Sequence, residues 1–255
     1  MRNRLVVCLL VLGVACLATP SVASAEDPPT TPAGPQIMIV GDSISDPLRY
    51  SQTETATTPK AWWAYLVDAY DTPPPILSAE SGSGMMRVGY AANGHTECSG
   101  TTFGQRLADI RKTPWRLLII EGGRNDFRHC VHGKAVPASR ATTESHIRTY
   151  LHDLRAVINT MHVNRHKVFV FTPWGTAYTA ERAYIRPMVA KWALHYGFRW
   201  IDVPALRQAN SAGDAYLQPG GTHPTTHGSK RIYLDMINPK LSDLASKLKQ
   251  YSITS

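Results

Sequence analysis

Short uninterrupted apolar runs alternate along the chain with longer stretches whose apolar residues recur at three- and four-residue steps. Ile37-Met38-Ile39-Val40 is the first run and reads as a strand buried on both faces. Residues 61–70 follow as a helix with Trp62, Leu66 and Tyr70 along one face. A short strand over 76–79, a helix over 103–112 and a strongly apolar strand over 116–121 come next. Ile147, Leu151, Leu154 and Ile158 give residues 139–162 a helical stripe. Residues 167–171 form a fourth strand stopped by Pro173, and 180–196 a helix with a disturbance expected at Pro187. A fifth strand covers 199–203, and after a loop to Pro224 one helical pattern runs from about Gly228 towards Leu248.

Strands alternating with helices predict an α/β protein with a central parallel five-stranded sheet covered on both faces. Right-handed crossovers make it a three-layer α/β/α sandwich. The 255 residues suffice for one such domain with a full core, and 43% hydrophobic against 18% charged residues belongs to a folded chain. No internal repeat is apparent.

The first residues read as an address. Arg2 and Arg4 precede an apolar run from Leu5 to Leu17, and Ala23-Ser24-Ala25 supplies small residues for cleavage after Ala25. Residues 1–25 are therefore expected to be a signal peptide, 26–35 (EDPPTTPAGP) an extended proline-rich leader, and 36–255 the folded domain. The apolar run is short for a bilayer span, so no stable membrane insertion is expected. Cys16 suggests a lipid anchor, but Gly13 stands where such signals want a leucine-like residue. Export leaves Cys98 and Cys130, which in an oxidising compartment most simply form one disulfide. Loss of Arg2 and Arg4 takes the net charge from +8 to +6. That balance suits anionic cell-envelope polymers or lipid headgroups, or only a solvated basic surface. Dispersed basic residues and the lack of a binding motif argue against nucleic acid.

Three strand ends carry small or polar turns: Gly41-Asp42-Ser43, Ser81-Gly82-Ser83-Gly84 and Gly122-Gly123-Arg124-Asn125-Asp126. Open parallel sheets bring such ends to one edge, and Gly220-Gly221-Thr222-His223-Pro224 lies before the last helix. Serine with histidine supplies a nucleophile and a base, and a glycine N–H with an asparagine amide supplies oxyanion donors. Residues 46–60 form a long polar loop expected to flank a substrate groove. Asp42 and Asp126 are expected to satisfy turn backbone groups. His129, His132, His223 and His227 suggest a metal, but Cys130 and Pro224 spoil both spacings, so none is expected. Trp62 and Trp63 fit a core face better than a sugar platform.

In order and in setting, Gly41-Asp42-Ser43-Ile44, Gly82, Gly123-Arg124-Asn125-Asp126 and His223-Pro224 resemble the SGNH (GDSL-type) hydrolase superfamily. The resemblance covers nearly all of the chain after the leader and implies a flavodoxin-like sandwich. It implies Ser43 as nucleophile on an ester carbonyl, His223 as base, and an oxyanion hole of Ser43 N–H, Gly82 N–H and the Asn125 amide, with Gly84 an alternative to Gly82. The family usually has Asp three residues before the histidine; here that position is Gly220. Either a Ser–His dyad works with a carbonyl or water orienting His223, or another acid reaches in, with Asp214 nearest in sequence. Arg124 is expected to contact an anionic substrate group or to pair with Asp126 or another acid. The resulting expectation is a secreted or envelope-associated monomeric serine esterase, needing no cofactor, acting on acyl (for instance acetyl) esters of an envelope glycan, polysaccharide or lipid. The alternatives are an O-acyltransferase using the same serine and a noncatalytic carbohydrate- or lipid-binding protein that keeps the fold.

Overall fold

The computed structural model of the protein describes residues 36–91, 96–172, 183–204, 206, 213 and 215–253. The expected signal peptide and leader, and Asp214, lie outside the described residues. Five parallel strands form the sheet: β1 (Ile37–Gly41), β2 (Ile76–Ala79), β3 (Leu117–Glu121), β6 (Val168–Phe171) and β7 (Arg199–Trp200), in the order β2-β1-β3-β6-β7. Met38 pairs with Ile76 on one side and Leu118 on the other, so β1 is central and its carboxyl end is flanked by those of β2 and β3.

Successive strand side chains point to opposite faces, and each face carries its own helical layer. Met38, Val40, Leu118, Ile120, Val168 and Val170 face one core. That core holds Ile110 of α2 (Leu107–Lys112), Ile147, Leu151, Leu154 and Ile158 of α3 (Arg140–Thr160) and Val189 of α4 (Ile185–His195). Ile37, Ile39, Leu117, Ile119, Phe169 and Phe171 face the other. There they meet Trp62 and Leu66 of α1 (Trp62–Tyr70), Ile232 and Met236 of α5 (Thr226–Met236), and Leu244 and Leu248 of α6 (Leu244–Ile253). This is the expected three-layer sandwich. Trp62 and Trp63 are buried core residues, with Trp62 edge-on to Phe171 at 5.3 Å.

Several boundaries differ from the sequence reading. The 103–112 segment becomes regular helix only at Leu107, because Thr102 ties down the preceding turn through the Gln105 N–H. Pro187 lies in the first turn of α4, where a missing N–H costs nothing, so it disturbs no helix. The pattern from 228 to 248 divides at Asn238-Pro239 into α5 and α6, because proline cannot extend the preceding turn. The last strand pairs over only Arg199–Trp200. A hairpin not anticipated from the pattern, β4 (Arg128–Val131) and β5 (Lys134–Pro137), turns through His132 and Gly133 at φ 47° and 76°. It carries Cys130, which is disulfide-bonded to Cys98 across a Cα–Cα distance of 5.9 Å. Among the described residues no helix is long and apolar enough to cross a membrane.

Candidate active site

The turn after β1 is held from below by a buried acid. Asp42 N–H donates to Glu121 Oε2 at 3.1 Å, Ser45 Oγ donates to the same oxygen at 2.9 Å, and Trp62 Nε1 donates to Ser45 Oγ at 3.2 Å. Ile44 N–H closes the turn on Asp42 Oδ1 at 3.0 Å. A side chain at Gly41 would come within 2.6 Å of Ser45 Cβ, which is why only glycine allows this reversal. Ser43 stands at its apex, 9% exposed, and its N–H makes no hydrogen bond among the described residues.

The turn after β2 lies alongside. Gly82 has φ +72°, and a Cβ there would strike the Tyr90 ring at 2.3 Å. Its N–H also has no partner among the described residues, whereas Gly84 N–H is committed to Arg87 O at 2.9 Å. Of the two glycines, only Gly82 therefore has a donor free. Arg106 at the start of α2 braces both turns, donating to Gly41 O and Ser83 Oγ. Asp126 accepts the Met85, Met86 and Arg87 N–H groups and so shapes the segment that follows Gly84. Burial pushes its carboxyl up to about 6 against those three bonds.

Asn125 sits in the 3-10 turn Arg124–Phe127 beyond β3. Its Nδ2 donates to Ser83 O at 2.8 Å and to Asp42 Oδ2 at 3.1 Å, which occupies both amide hydrogens. The amide is thus aimed into the space between the first two turns and clamped there.

His223 reaches the same point from the loop before α5, with Nε2 3.0 Å from Ser43 Oγ. Its backbone is fastened on three successive carbonyls. Arg124 Nη1 donates to Thr222 O at 2.9 Å, Gln218 N–H to His223 O at 2.8 Å, and Tyr50 Oη to Pro224 O at 3.2 Å. Gly220, at φ +96°, has nothing within 4 Å of where a Cβ would stand. Among the described residues no carboxylate hydrogen-bonds His223, and Asp214 lies outside them. Burial, then the charges of Arg49 and Arg124, lower the imidazole pKa to about 4, with Asp46 opposing. An imidazole nitrogen in contact with a hydroxyl can take its proton only when unprotonated, so this environment keeps the base in its working form.

Among the described residues Arg124 forms no ion pair with Asp126 or another acid; its Nη1 bond goes to the histidine loop. Glu121 and Arg49 escaped the sequence reading. Burial and then the negative charge of Asp42 raise the Glu121 pKa well above its ordinary value, against the bonds from Asp42 N–H and Ser45 Oγ. Its signal was an acid closing an apolar run that is buried on both faces. Arg49 gave no signal beyond lying in the long 46–60 loop. Among the described residues no three His, Cys, Asp or Glu side chains gather into a metal site.

Residues 39–231 match the family described as GDSL-like Lipase/Acylhydrolase. The chain belongs to that family. Its turns after β1, β2 and β3 and its histidine loop are the parts on which this GDSL-like protein resembled the superfamily in sequence. Among solved structures it is similar to a carbohydrate esterase described as having divergent catalytic and non-catalytic binding functions. That likeness has 16% identity and a TM-score of 0.52, over 85% of this chain and 65% of the other. It is also similar to a lipase/acylhydrolase from Enterococcus faecalis at 15% identity and TM-score 0.49, over 80% and 93% of the two chains. A protein from Lactobacillus plantarum matches at 16% identity and TM-score 0.48, over 85% and 97%. At 16% identity the first of these likenesses speaks to the fold alone. No curated protein sequence matches the chain.

Proposed function

We propose that this GDSL-like protein is a secreted serine esterase that removes an acyl group, such as acetyl, from an envelope glycan, polysaccharide or lipid. The observation that supports it best is the 3.0 Å contact of Ser43 Oγ with His223 Nε2, set beside two uncommitted backbone N–H donors. Ser43 Oγ attacks the ester carbonyl as its proton passes to His223 Nε2. The N–H groups of Ser43 and Gly82 receive the oxyanion, and the Asn125 amide joins them by exchanging one of its two bonds. Collapse expels the alcohol, which takes the proton from His223; water then repeats the steps on the acyl-serine. The three tethered carbonyls of residues 222–224 fix the loop that presents the imidazole. The Cys98–Cys130 bond supports an oxidising, extracellular setting.

The committed Asn125 amide and the lack of an orienting acid among the described residues favour one rival, a binding protein that keeps the fold. A fluorophosphonate probe read by mass spectrometry separates the two. One adduct on Ser43, absent in Ser43→Ala and lost in His223→Ala, supports the esterase. A folded protein that takes no probe supports binding. An acyltransferase would label equally and is distinguished by acyl transfer to an added sugar acceptor.

A further inference from the structure

Three arginines stand around the Ser43–His223 pair, and they are not equivalent. Arg106 is buried, with its guanidinium spent on Gly41 O and Ser83 Oγ. Arg124 is buried and holds Thr222 O. Arg49, from the 46–60 loop between β1 and α1, is exposed. Its Nε donates to Ser81 Oγ at 2.7 Å, and Ser81 Oγ is itself fixed on Asp46 Oδ2 at 2.6 Å. Ser81 immediately precedes Gly82, so the guanidinium is moored beside a free N–H of the site. Its two terminal nitrogens make no hydrogen bond among the described residues, and no described carboxylate lies within ion-pair distance.

A guanidinium anchored at Nε keeps its two-pronged edge for a ligand, which is the geometry that grips a carboxylate or phosphate. Its position also has a cost. After burial, Arg49 is the strongest influence against a proton on His223, so it opposes the imidazolium that forms when Ser43 gives up its proton. A negative group seated on Arg49 removes that opposition as well as contributing binding.

We propose that Arg49 selects substrates in which the sugar bearing the acyl ester also carries a carboxylate or phosphate. This rests on the esterase reading and narrows its substrate to anionic glycans. Arg124, which the sequence nominated for this task, has its Nη1 on Thr222 O of the histidine loop.

The test compares kcat/KM for a mono-O-acetylated methyl glucuronoside, a mono-O-acetylated sugar phosphate and the matching neutral methyl glucoside. Wild type, Arg49→Gln and Arg49→Lys are assayed on each. Loss of Arg49 relieves His223 for the neutral ester, whereas a seated anion has already relieved it in wild type, so recognition itself is read in the KM of the anionic esters and the base effect in kcat. The anionic-to-neutral ratio is expected to fall about tenfold in Arg49→Gln, mainly through KM, and to recover in part in Arg49→Lys. The anion with the larger loss is the one recognised. An unchanged ratio overturns the proposal. If wild type turns over none of the esters, the esterase reading fails. Calorimetric titration with glucuronate and with the sugar phosphate then decides about Arg49. Binding lost in Arg49→Gln upholds it, and no binding to wild type overturns it.

Discussion

His223 is the residue on which the surroundings act most. A free histidine gains its proton near 6.5, but burial and two arginines hold this one to about 4. Below that pH the imidazole cannot accept the Ser43 proton, and above it the base is ready. The acid limb of kcat/KM is therefore expected near pH 4 in a pH–rate profile on a neutral activated ester; a midpoint near 6.5 would contradict the buried setting. Glu121 offers a complementary measurement. Glu121→Gln keeps an acceptor for Asp42 N–H and Ser45 Oγ and should cost clearly less stability than a variant that keeps none. Glu121→Leu strands both buried donors and should cost about 2–4 kcal/mol in urea unfolding. Ser43 and His223 were legible because glycine turns at strand ends and a His-Pro loop are written locally. Glu121 and Arg49 were not, since what matters about each is the neighbour supplied by a distant segment: Asp42 for one, Ser81 for the other.

At the level of elements, the site is three turns and a loop tied to one another. Arg124 belongs to the turn after β3, yet its bond to Thr222 O secures the loop that presents His223. Arg124→Ala is expected to slow fluorophosphonate labelling of Ser43 by about a hundredfold, since a small displacement of the base is costly. The loss should be the same for charged and neutral esters, in contrast to Arg49→Gln, and stopped-flow labelling with probes of either charge would measure it. The strands of the sheet were readable because four or five consecutive apolar residues admit few other solutions. The β4–β5 hairpin was not. Its run Arg128-His129-Cys130-Val131 has little apolar alternation, and only the His132-Gly133 pair marked the turn. The single helical pattern after residue 228 concealed a break because α5 and α6 present apolar residues to the same face of the sheet.

Across the whole molecule, a covalent link joins the segment around residue 98 to the hairpin, outside the two packed cores. Cys98 and Cys130 are 32 residues apart, and closing that loop restricts the unfolded chain. Replacing both by serine is expected to lower unfolding stability by about 3–4 kcal/mol, read from urea titrations of oxidised protein and the double mutant. Layer order and strand direction followed from the alternation of elements, because helices between parallel strands leave few topologies open. The extent of the outer strands did not, since pairing at an edge depends on one neighbour rather than two. Those edges also bear on how the protein behaves when crowded. One is β2, four residues long; the other is β7, two residues, with Arg199 in an ion pair with Asp243. Neither offers a stranger's strand a long row of open peptide groups, so chains opened by urea should refold rather than stack into fibrils.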